Sequence, residues 1–329
     1  MRIAVMGAGS WGTAFGQVLC DAGQEVTLWS RRPEVAAAIN DDHRNHDYLP
    51  GLDLPAALGA VSDPRAALDG AEAVVVAVPS QTLRENLSQW RIDTETTMIS
   101  LAKGIELGTG LRMSQVIEQA SGHDPNRLCV VSGPNLAREI AERQPCSTVV
   151  ASPSAETAAQ VQQWCHTRTF RAYTNTDVIG CELGGATKNV IAIAVGAGVG
   201  LGMGHNALAS LITRGLAEIT RLGLALGAAE HTFAGLAGLG DLVATCNSPL
   251  SRNRTFGEAL GKGRTVDDIL ASTRQVAEGV KSCRSIVDLA RAHDVEMPIA
   301  EAVVRVVEGA ATPVQMLDQL LSRSAKPER

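Results

Sequence analysis

The spacing of hydrophobic positions changes near the middle of this chain. In the first half, short apolar segments alternate with segments in which apolar residues recur every three or four positions, as in a doubly wound parallel sheet. Segment 73–78 is apolar on both faces, as a central strand covered by helices should be. The predicted strands are Arg2–Met6, Glu25–Trp29, Ala73–Val78, Thr97–Leu101, Leu128–Ser132 and Thr148–Ala151.

Beyond about residue 175 the strand pattern stops and one helical pattern follows another. Thr265 precedes two aspartates, and Pro298 and Pro313 stand in first-turn positions, which favours helix starts at these places. We therefore predict an α/β domain over residues 1–178 and an all-helical domain over residues 179–329, with the change inside 175–183. The predicted helices are Val178–Met203, Asn206–Leu226, one after Ser251, Thr265–Leu270, Val280–Ala292, Ile299–Glu308 and Val314–Leu321.

Composition and charge narrow the classes of function. With 329 residues the chain is longer than one core usually supports, and 45% hydrophobic with 19% charged residues excludes a disordered chain. The net charge of −6 offers no basic face for nucleic acid. An anionic ligand therefore needs a local cluster of cations.

Cysteine spacing and hydropathy bear on location. The seven cysteines form no C-x-x-C pair and no ligand-like spacing with histidines, so we expect reduced thiols in a cytoplasmic protein and no metal site. The N-terminus lacks the apolar region of a secretory signal. Val190–Met203 is the most membrane-like stretch but is shorter than the ~20 apolar residues of a spanning helix, which predicts a buried helix and no membrane insertion.

A glycine-rich turn follows the first predicted strand. Gly7-Ala8-Gly9-Ser10-Trp11-Gly12 joins that strand to a helix, and a second strand follows as a dinucleotide-binding unit requires. In this context Gly7 permits the tight turn, Gly9 lets the backbone approach a pyrophosphate, and Gly12 lets helix and strand pack closely. The turn therefore predicts a Rossmann-type dinucleotide site, and the alternative is a structural glycine turn without ligand.

The second predicted strand ends in Trp29-Ser30-Arg31-Arg32, where NAD enzymes usually carry a carboxylate for the ribose 2′-hydroxyl. Arg31 and Arg32 can instead bind a 2′-phosphate through charge-assisted hydrogen bonds. NADP(H) is therefore favoured, and NAD(H) remains possible. The alternative is that the two arginines form a solvated helix start.

Three ionisable residues stand in settings that are costly without a partner or a function. Lys103 follows the end of a predicted strand, where open α/β sheets bind their ligands. Lys188 interrupts an apolar helix, and Asp241 in a Gly-Leu-Gly-Asp-Leu run is a candidate partner for it. The alternatives are lysines that reach solvent and an Asp241 that only caps a helix.

A basic helix start is predicted at Ser251-Arg252-Asn253-Arg254. A capping serine, free backbone N–H groups, the helix dipole and a guanidinium can all address one phosphate there. The alternative is a solvent-exposed basic turn.

Six motifs in fixed order carry a resemblance that covers essentially the whole chain. They are GAGSWG at 7–12, LAKGIE at 101–106, SGPNLA at 132–137, ELGGATKNV at 182–190, GLGDLVATC at 238–246 and SRNRTFG at 251–257. With them the chain resembles the bacterial NAD(P)+-dependent glycerol-3-phosphate dehydrogenase family. The resemblance implies a helical second domain, a cytoplasmic location and a supply of glycerol 3-phosphate for phospholipid synthesis.

The resemblance also implies site residues. Those implied to contact the dinucleotide are Ser10, Trp11, Arg31, Lys103, Ala137, Arg252, Val276 and Glu278. Those implied to line the substrate pocket are Lys103, Gly133, Asn135, Lys188, Asp241, Ser251, Arg252 and Asn253. Asn135 departs from the family, which often has a small hydroxyl residue at this position.

The expected reaction is hydride transfer from a nicotinamide to the C2 carbonyl of dihydroxyacetone phosphate, with Lys188 as proton donor and Lys103 stabilising oxyanion charge. One alternative is a reductase of the same build that acts on ketopantoate or a 3-hydroxyacid. The predicted phosphate site at segment 251–253 argues against this alternative, because those substrates lack a phosphate. Another is an NADPH-binding sensor without catalysis, which would not need these lysines. The oligomeric state stays open, a homodimer included.

Overall fold

The computed structural model describes residues 1–272, 277–322 and 324. An eight-stranded sheet occupies the N-terminal half, and every described element after β8 is helical, which confirms the predicted fold class: a Rossmann-type α/β sheet followed by an all-α part. The strands are β1 Arg2–Met6, β2 Glu25–Trp29, β3 Leu58–Val61, β4 Ala73–Val76, β5 Thr97–Ser100, β6 Leu128–Ser132, β7 Cys146–Ala151 and β8 Phe170–Asn175.

Helices cover both faces of the sheet and form the C-terminal half. They are α1 Ser10–Asp21, α2 Pro33–Asp41, α3 Pro64–Leu68, α4 Leu83–Gln89, α5 Met113–Ser121, α6 Ala137–Ala141, α7 Ala155–Trp164, α8 Val178–Gly200, α9 His205–Ala225, α10 Glu230–Ala234, α11 Asp241–Asn247, α12 Arg252–Gly261, α13 Val266–Ser272, α14 Glu278–Ala292, α15 Pro298–Val307 and α16 Pro313–Leu321. A π-helical turn, Leu236–Gly240, precedes α11.

The strand order is β3-β2-β1-β4-β5-β6-β7-β8, and all neighbours are parallel except β6 and β7, which are antiparallel. The predicted doubly wound parallel sheet is therefore confirmed, with one antiparallel junction between β6 and β7. A parallel return usually crosses the face of the sheet through a helix long enough to span a strand. The connection between β6 and β7 contains the helix α6, whose five residues rise only about 7.5 Å, about half the length of a five-residue strand, and the chain turns back instead.

The reversal at β7 decides where the helical half begins. Because β8 runs parallel to β7, both strands end at the edge of the sheet where β6 starts, and α8 begins there at Val178. Ten residues of α helix span about 15 Å, close to the length of a five-residue strand. Lys188 therefore reaches the opposite edge, and a Cβ at nearby Gly185 would lie 2.7 Å from Ser132 Oγ at the end of β6.

Near its start, α8 is anchored to the sheet side by a buried carboxylate. Glu182, one turn into the helix, accepts from the Arg112 guanidinium at 2.5 Å and from the Ser114 backbone N–H at 2.7 Å. Arg112 and Ser114 stand at the start of α5, so the carboxylate also caps that helix. The contact fixes the rotation of α8 about its own axis.

Helix α8 is the core of the C-terminal half. It is long and apolar enough to pass a length-and-composition test for a membrane-spanning helix, but 89% of the tested window is buried inside the protein. Helix α12 approaches it at backbone contact, since a Cβ at Gly196 would collide with the carbonyl oxygen of Arg254 and one at Gly257 with that of Ile193. This close approach brings the start of α12 beside Lys188 and Asn189.

Candidate active site

A cleft of about 720 Å³ opens between the carboxyl ends of β1, β2, β4, β5 and β6 and the helical half. Most of the residues that the sequence predicted for the site line it. These are Gly7, Gly9, Ser10, Trp11, Gly12, Arg31, Arg32, Lys103, Asn135, Ala137, Lys188, Ser251, Arg252, Asn253 and Glu278. Gly133 and Asp241 lie behind this lining, and Val276 falls outside the described residues.

The glycine loop has the geometry that a dinucleotide requires. Gly7 has φ +134°, and a Cβ there would lie 2.6 Å from Ala77 O, while a Cβ at Gly12 would collide with Gly7 O. Gly9 differs, because nothing lies within 4 Å of the position its Cβ would take. It is also the N-cap of α1, with no side chain capping the helix, so backbone N–H groups face open space. The loop therefore fits a pyrophosphate.

A buried asparagine that sequence reasoning missed braces this loop. Asn45 Nδ2 donates to Ala8 O at 3.0 Å and to Thr13 Oγ1 at 2.9 Å. Ser10 Oγ donates to Tyr48 O at 3.0 Å. Segment 45–48 is therefore attached at both ends to the glycine loop, although nothing in its composition marks it as part of a ligand site.

The two arginines after β2 have different surroundings. Arg31 is exposed and makes no ion pair within the described part of the chain. Arg32 NH2 lies 2.7 Å from Asp47 Oδ2 and its Nε lies 3.9 Å from Glu34, while its guanidinium carbon lies over the Tyr48 ring, 5.5 Å from the ring centre. Arg31 and Arg32 look alike in the sequence, but among the described residues only Arg32 is paired with carboxylates in the fold.

Lys188, Lys103 and Asp241 form one buried cluster. Lys188 Nζ donates to Asp241 Oδ1 at 2.5 Å and to Thr245 Oγ1 at 2.7 Å. Lys103 Nζ donates to Asp241 Oδ2 at 2.6 Å and to Gly133 O at 3.2 Å. Asp241 is the first residue of α11 and is 1% exposed. Each ammonium thus uses two of its three protons on described residues, and both lysines line the cleft, where the third proton is available to a ligand.

The charges of this cluster do not balance. Two ammonium groups share one carboxylate, so the three-residue cluster carries a net positive charge. Burial lowers the pKa of Lys188 to about 8, opposed by the charge of Asp241 and reinforced by that of Lys103. A lysine with this pKa can both give and take a proton near neutral pH.

The loop that carries Lys103 is fixed from both halves of the protein. Gln81 Nε2 donates to Ile105 O at 2.8 Å, and Ser285 Oγ in α14 donates to the same carbonyl at 3.1 Å. Gly104 has φ +158°, and a Cβ there would lie 2.5 Å from Ser80 Oγ. Lys103 therefore projects from a rigid turn at the carboxyl end of β5.

The start of α12 meets α8 and α14 at the cleft. Ser251 Oγ caps α12 by accepting from Arg254 N at 3.2 Å. Asn253 Nδ2 donates to Asn189 Oδ1, and its Oδ1 accepts from Gly279 N, both at 2.9 Å. Arg252 is exposed on the first turn of α12 and lines the cleft. The capped start of α12, the paired amides of Asn189 and Asn253 and the guanidinium of Arg252 therefore line the same part of the cleft.

Thr245 and Asn189 also line the cleft, although the sequence did not predict them as site residues. Asn135, which was predicted, has an unexpected partner. Thr245 lies one helical turn after Asp241, a spacing that the GLGDLVAT run contains. Asn189 follows Lys188 directly and holds Asn253. Asn135 turns towards β7, where its Nδ2 donates to Thr148 Oγ1 at 2.9 Å.

Comparisons with known proteins converge on one family. A family model described as NAD-dependent glycerol-3-phosphate dehydrogenase N-terminus matches residues 2–158, and one described as the C-terminus of the same enzyme matches residues 177–318. A glycerol-3-phosphate dehydrogenase [NAD(P)+] from Thermobifida fusca is 60% identical over 100% of this chain and 98% of its own length. One from Streptomyces avermitilis is 58% identical with the same coverage. The crystal structure of glycerol-3-phosphate dehydrogenase from Coxiella burnetii superposes with a TM-score of 0.93 at 38% identity, over 98% of this chain and 99% of that one.

Proposed function

This chain belongs to the NAD-dependent glycerol-3-phosphate dehydrogenase family, and we propose that it transfers a hydride between NAD(P)H and dihydroxyacetone phosphate to give sn-glycerol 3-phosphate, a precursor of glycerophospholipids. One observation carries the proposal: the glycine loop, the Lys188–Asp241–Lys103 cluster and the start of α12 all face the same cleft. Dinucleotide site, proton donor and anion site are thus within reach of one small molecule.

The nicotinamide, when bound, supplies or accepts the hydride. Lys188 gives a proton to the C2 oxygen of the ketone through the N–H that neither Asp241 nor Thr245 accepts. Lys103 and the net positive charge of the cluster stabilise the negative charge that develops on that oxygen. Asp241 orients both lysines through its two carboxylate oxygens. In the oxidation of glycerol 3-phosphate, neutral Lys188 takes the proton.

The substrate phosphate binds at the start of α12 in this proposal. Helix α12 has ten residues, its first turn carries Arg252, and Ser251 caps it. A helix N-terminus and a guanidinium both favour an anion, and the overall charge of −6 makes such a local site necessary. A ketopantoate or 3-hydroxyacid reductase would have no use for this site, and a sensor without catalysis would have none for Lys188 and Lys103.

The same proposal places the protein in the cytoplasm and divides it at residues 178 and 179. All seven cysteines are free, as is usual for proteins of a reducing compartment. The division falls at the start of α8, after the last strand.

Absorbance at 340 nm tests the function directly. The purified protein, mixed with NADPH or NADH, should oxidise the nucleotide when dihydroxyacetone phosphate is added. It should do so far more slowly with dihydroxyacetone or ketopantoate, which lack the phosphate. Faster turnover of ketopantoate would replace the proposed substrate, and nucleotide binding without turnover of any of the three ketones would favour the sensor.

A further inference from the structure

We infer that Asp47 sets the cofactor preference: it neutralises Arg32, so that Arg31 alone presents an uncompensated charge to the ribose 2′ position. The inference rests on the proposed function and concerns how the proposed dinucleotide site distinguishes a 2′-hydroxyl from a 2′-phosphate. Arg31 and Arg32 line the cleft, whereas Asp47 stands behind Arg32.

The contacts of Arg32 already engage its guanidinium from several sides. Its NH2 lies 2.7 Å from Asp47 Oδ2, its Nε lies 3.9 Å from Glu34 Oε1, and its guanidinium carbon lies over the Tyr48 ring, 5.5 Å from the ring centre. Burial lowers the pKa of Arg32, but the contacts with Asp47, Tyr48 and Glu34 together outweigh burial and raise it. Asp47 makes the largest of these raising contributions. A phosphate that recruits Arg32 therefore competes with a carboxylate already in place.

Asp47 cannot readily move aside. Two positions before it, Asn45 is 1% exposed and bonded to Ala8 O and Thr13 Oγ1. One position after it, Tyr48 O accepts from Ser10 Oγ. The carboxylate is thus carried by a segment that is bonded on both sides to the loop proposed to hold the pyrophosphate, so its distance from the cofactor site is set by the fold.

The charges at this edge of the cleft then offset one another. Arg31 and Arg32 bring two positive charges, and Glu34 and Asp47 bring two negative ones. A 2′-phosphate, with about −1.5 to −2 charges near neutral pH, gains from Arg31 but is opposed by Asp47 through Arg32. A 2′-hydroxyl is almost indifferent to the same charges. The site should accept both nucleotides, with a preference for NADP(H) that Asp47 keeps small.

Binding of NADP+ and NAD+ measured by calorimetry tests this without turnover. Asp47→Asn keeps the shape of the side chain and removes its charge, so NADP+ should bind about two- to fivefold more tightly, the range for one partly exposed charge, while NAD+ stays the same. The gain should shrink at high salt, since exposed charges are screened. Arg31→Ala should weaken NADP+ binding more than Arg32→Ala does.

Asp53→Asn is the matched control. Asp53 belongs to the same connection after α2 and pairs with Arg44 at 2.8 Å, but it lies away from the cleft. An unchanged ratio of NADP+ to NAD+ affinity in Asp47→Asn, or an equal change in Asp53→Asn, overturns the inference. So does a larger loss of NADP+ binding in Arg32→Ala than in Arg31→Ala. If the unaltered protein binds neither dinucleotide, the proposed function itself fails. A second variant, Asp47→Ser, also removes the carboxylate and checks that any effect of Asp47→Asn follows from the loss of charge.

Discussion

Asp241 Oδ2 lies 2.6 Å from Lys103 Nζ, although 138 positions separate the two residues. The other oxygen of the same carboxylate accepts from Lys188. Lys103 follows a strand of the sheet, while Lys188 and Asp241 belong to the helical half. One carboxylate therefore sets the distance between the two ammonium groups and joins the two halves at the proposed reacting centre.

The pH dependence of both directions should follow the protonation of Lys188. Its pKa is about 8, so ketone reduction should lose rate as the pH rises through that value, because the protonated donor disappears. Oxidation of glycerol 3-phosphate should gain rate over the same interval. The measurement is kcat/KM against pH in both directions.

Asp241→Asn should move this transition to lower pH. Asp241 raises the pKa of Lys188 against the effect of burial, so its loss leaves a lysine that deprotonates more easily. Asp53→Asn, which removes an exposed carboxylate elsewhere, should leave the profile in place. A transition that stays fixed or moves upward in Asp241→Asn would mean that another group titrates.

Lys188→Ala and Lys103→Ala should differ in which kinetic constants they change. Loss of a positioned acid typically costs ~10²–10⁴ in rate, so Lys188→Ala should lower kcat by that order and leave NADPH binding nearly intact. Lys103→Ala should disturb KM for both ligands as well as kcat. Small primary amines added to the assay should restore turnover to the Lys188 variant. Rescue of the Lys103 variant alone would reverse the two roles.

Arg252→Ala should weaken binding of dihydroxyacetone phosphate by about 1.5–3 kcal/mol, the value of one charged hydrogen bond. Unphosphorylated dihydroxyacetone lacks the group concerned and should be nearly unaffected. The comparison is kcat/KM for the two ketones with variant and unaltered enzyme. Equal losses on both would place the phosphate elsewhere.

Gly196→Ala should separate α8 from α12. The added Cβ would collide with Arg254 O, a backbone atom that cannot yield, so we expect a loss of about 2 kcal/mol in unfolding free energy with weaker phosphate binding. Gly198→Ala in the same helix is the control, since its Cβ would meet only the flexible ends of Met203, at 2.8 Å, and Leu208. Urea unfolding of the two variants measures the difference, and equal midpoints would contradict it.

Local chemistry explains which parts of this protein the sequence reveals. The glycine loop, the lysine inside α8 and the basic start of α12 each break a local pattern, and all three line the cleft. Strand β3 was missed because Leu58–Val61 is short and includes glycine and alanine, which are weak strand formers. Strand β8 does alternate, with Phe170 and Ala172 buried and Arg171 and Tyr173 exposed, and this signal was overlooked.

What the sequence could not predict depends on contacts between distant segments. The sharing of Asp241 by two lysines requires the sheet and the helical half to meet, and no local pattern contains that information. The same holds for Asp47, whose pairing with Arg32 depends on the path of the chain after α2. The reversed direction of β7 likewise depends on its pairing with β6 across the sheet, and no local pattern in segment 133–145 indicates it.

The reversal of β7 also turns the first part of α8 into a spacer of fixed length. Because α8 starts at the far edge of the sheet, the rise of ten residue steps from Val178 to Lys188 must match the length of β6. The helix must also turn Lys188 towards Asp241, and Glu182, held by Arg112 and Ser114, fixes the rotation of the helix from which this direction follows. One residue more or less between Glu182 and Lys188 would rotate the ammonium by about 100° relative to the anchored carboxylate of Glu182, away from Asp241. The number of residues here is therefore constrained more strongly than the identity of most of them, and homologous enzymes should tolerate substitutions in this interval far better than insertions.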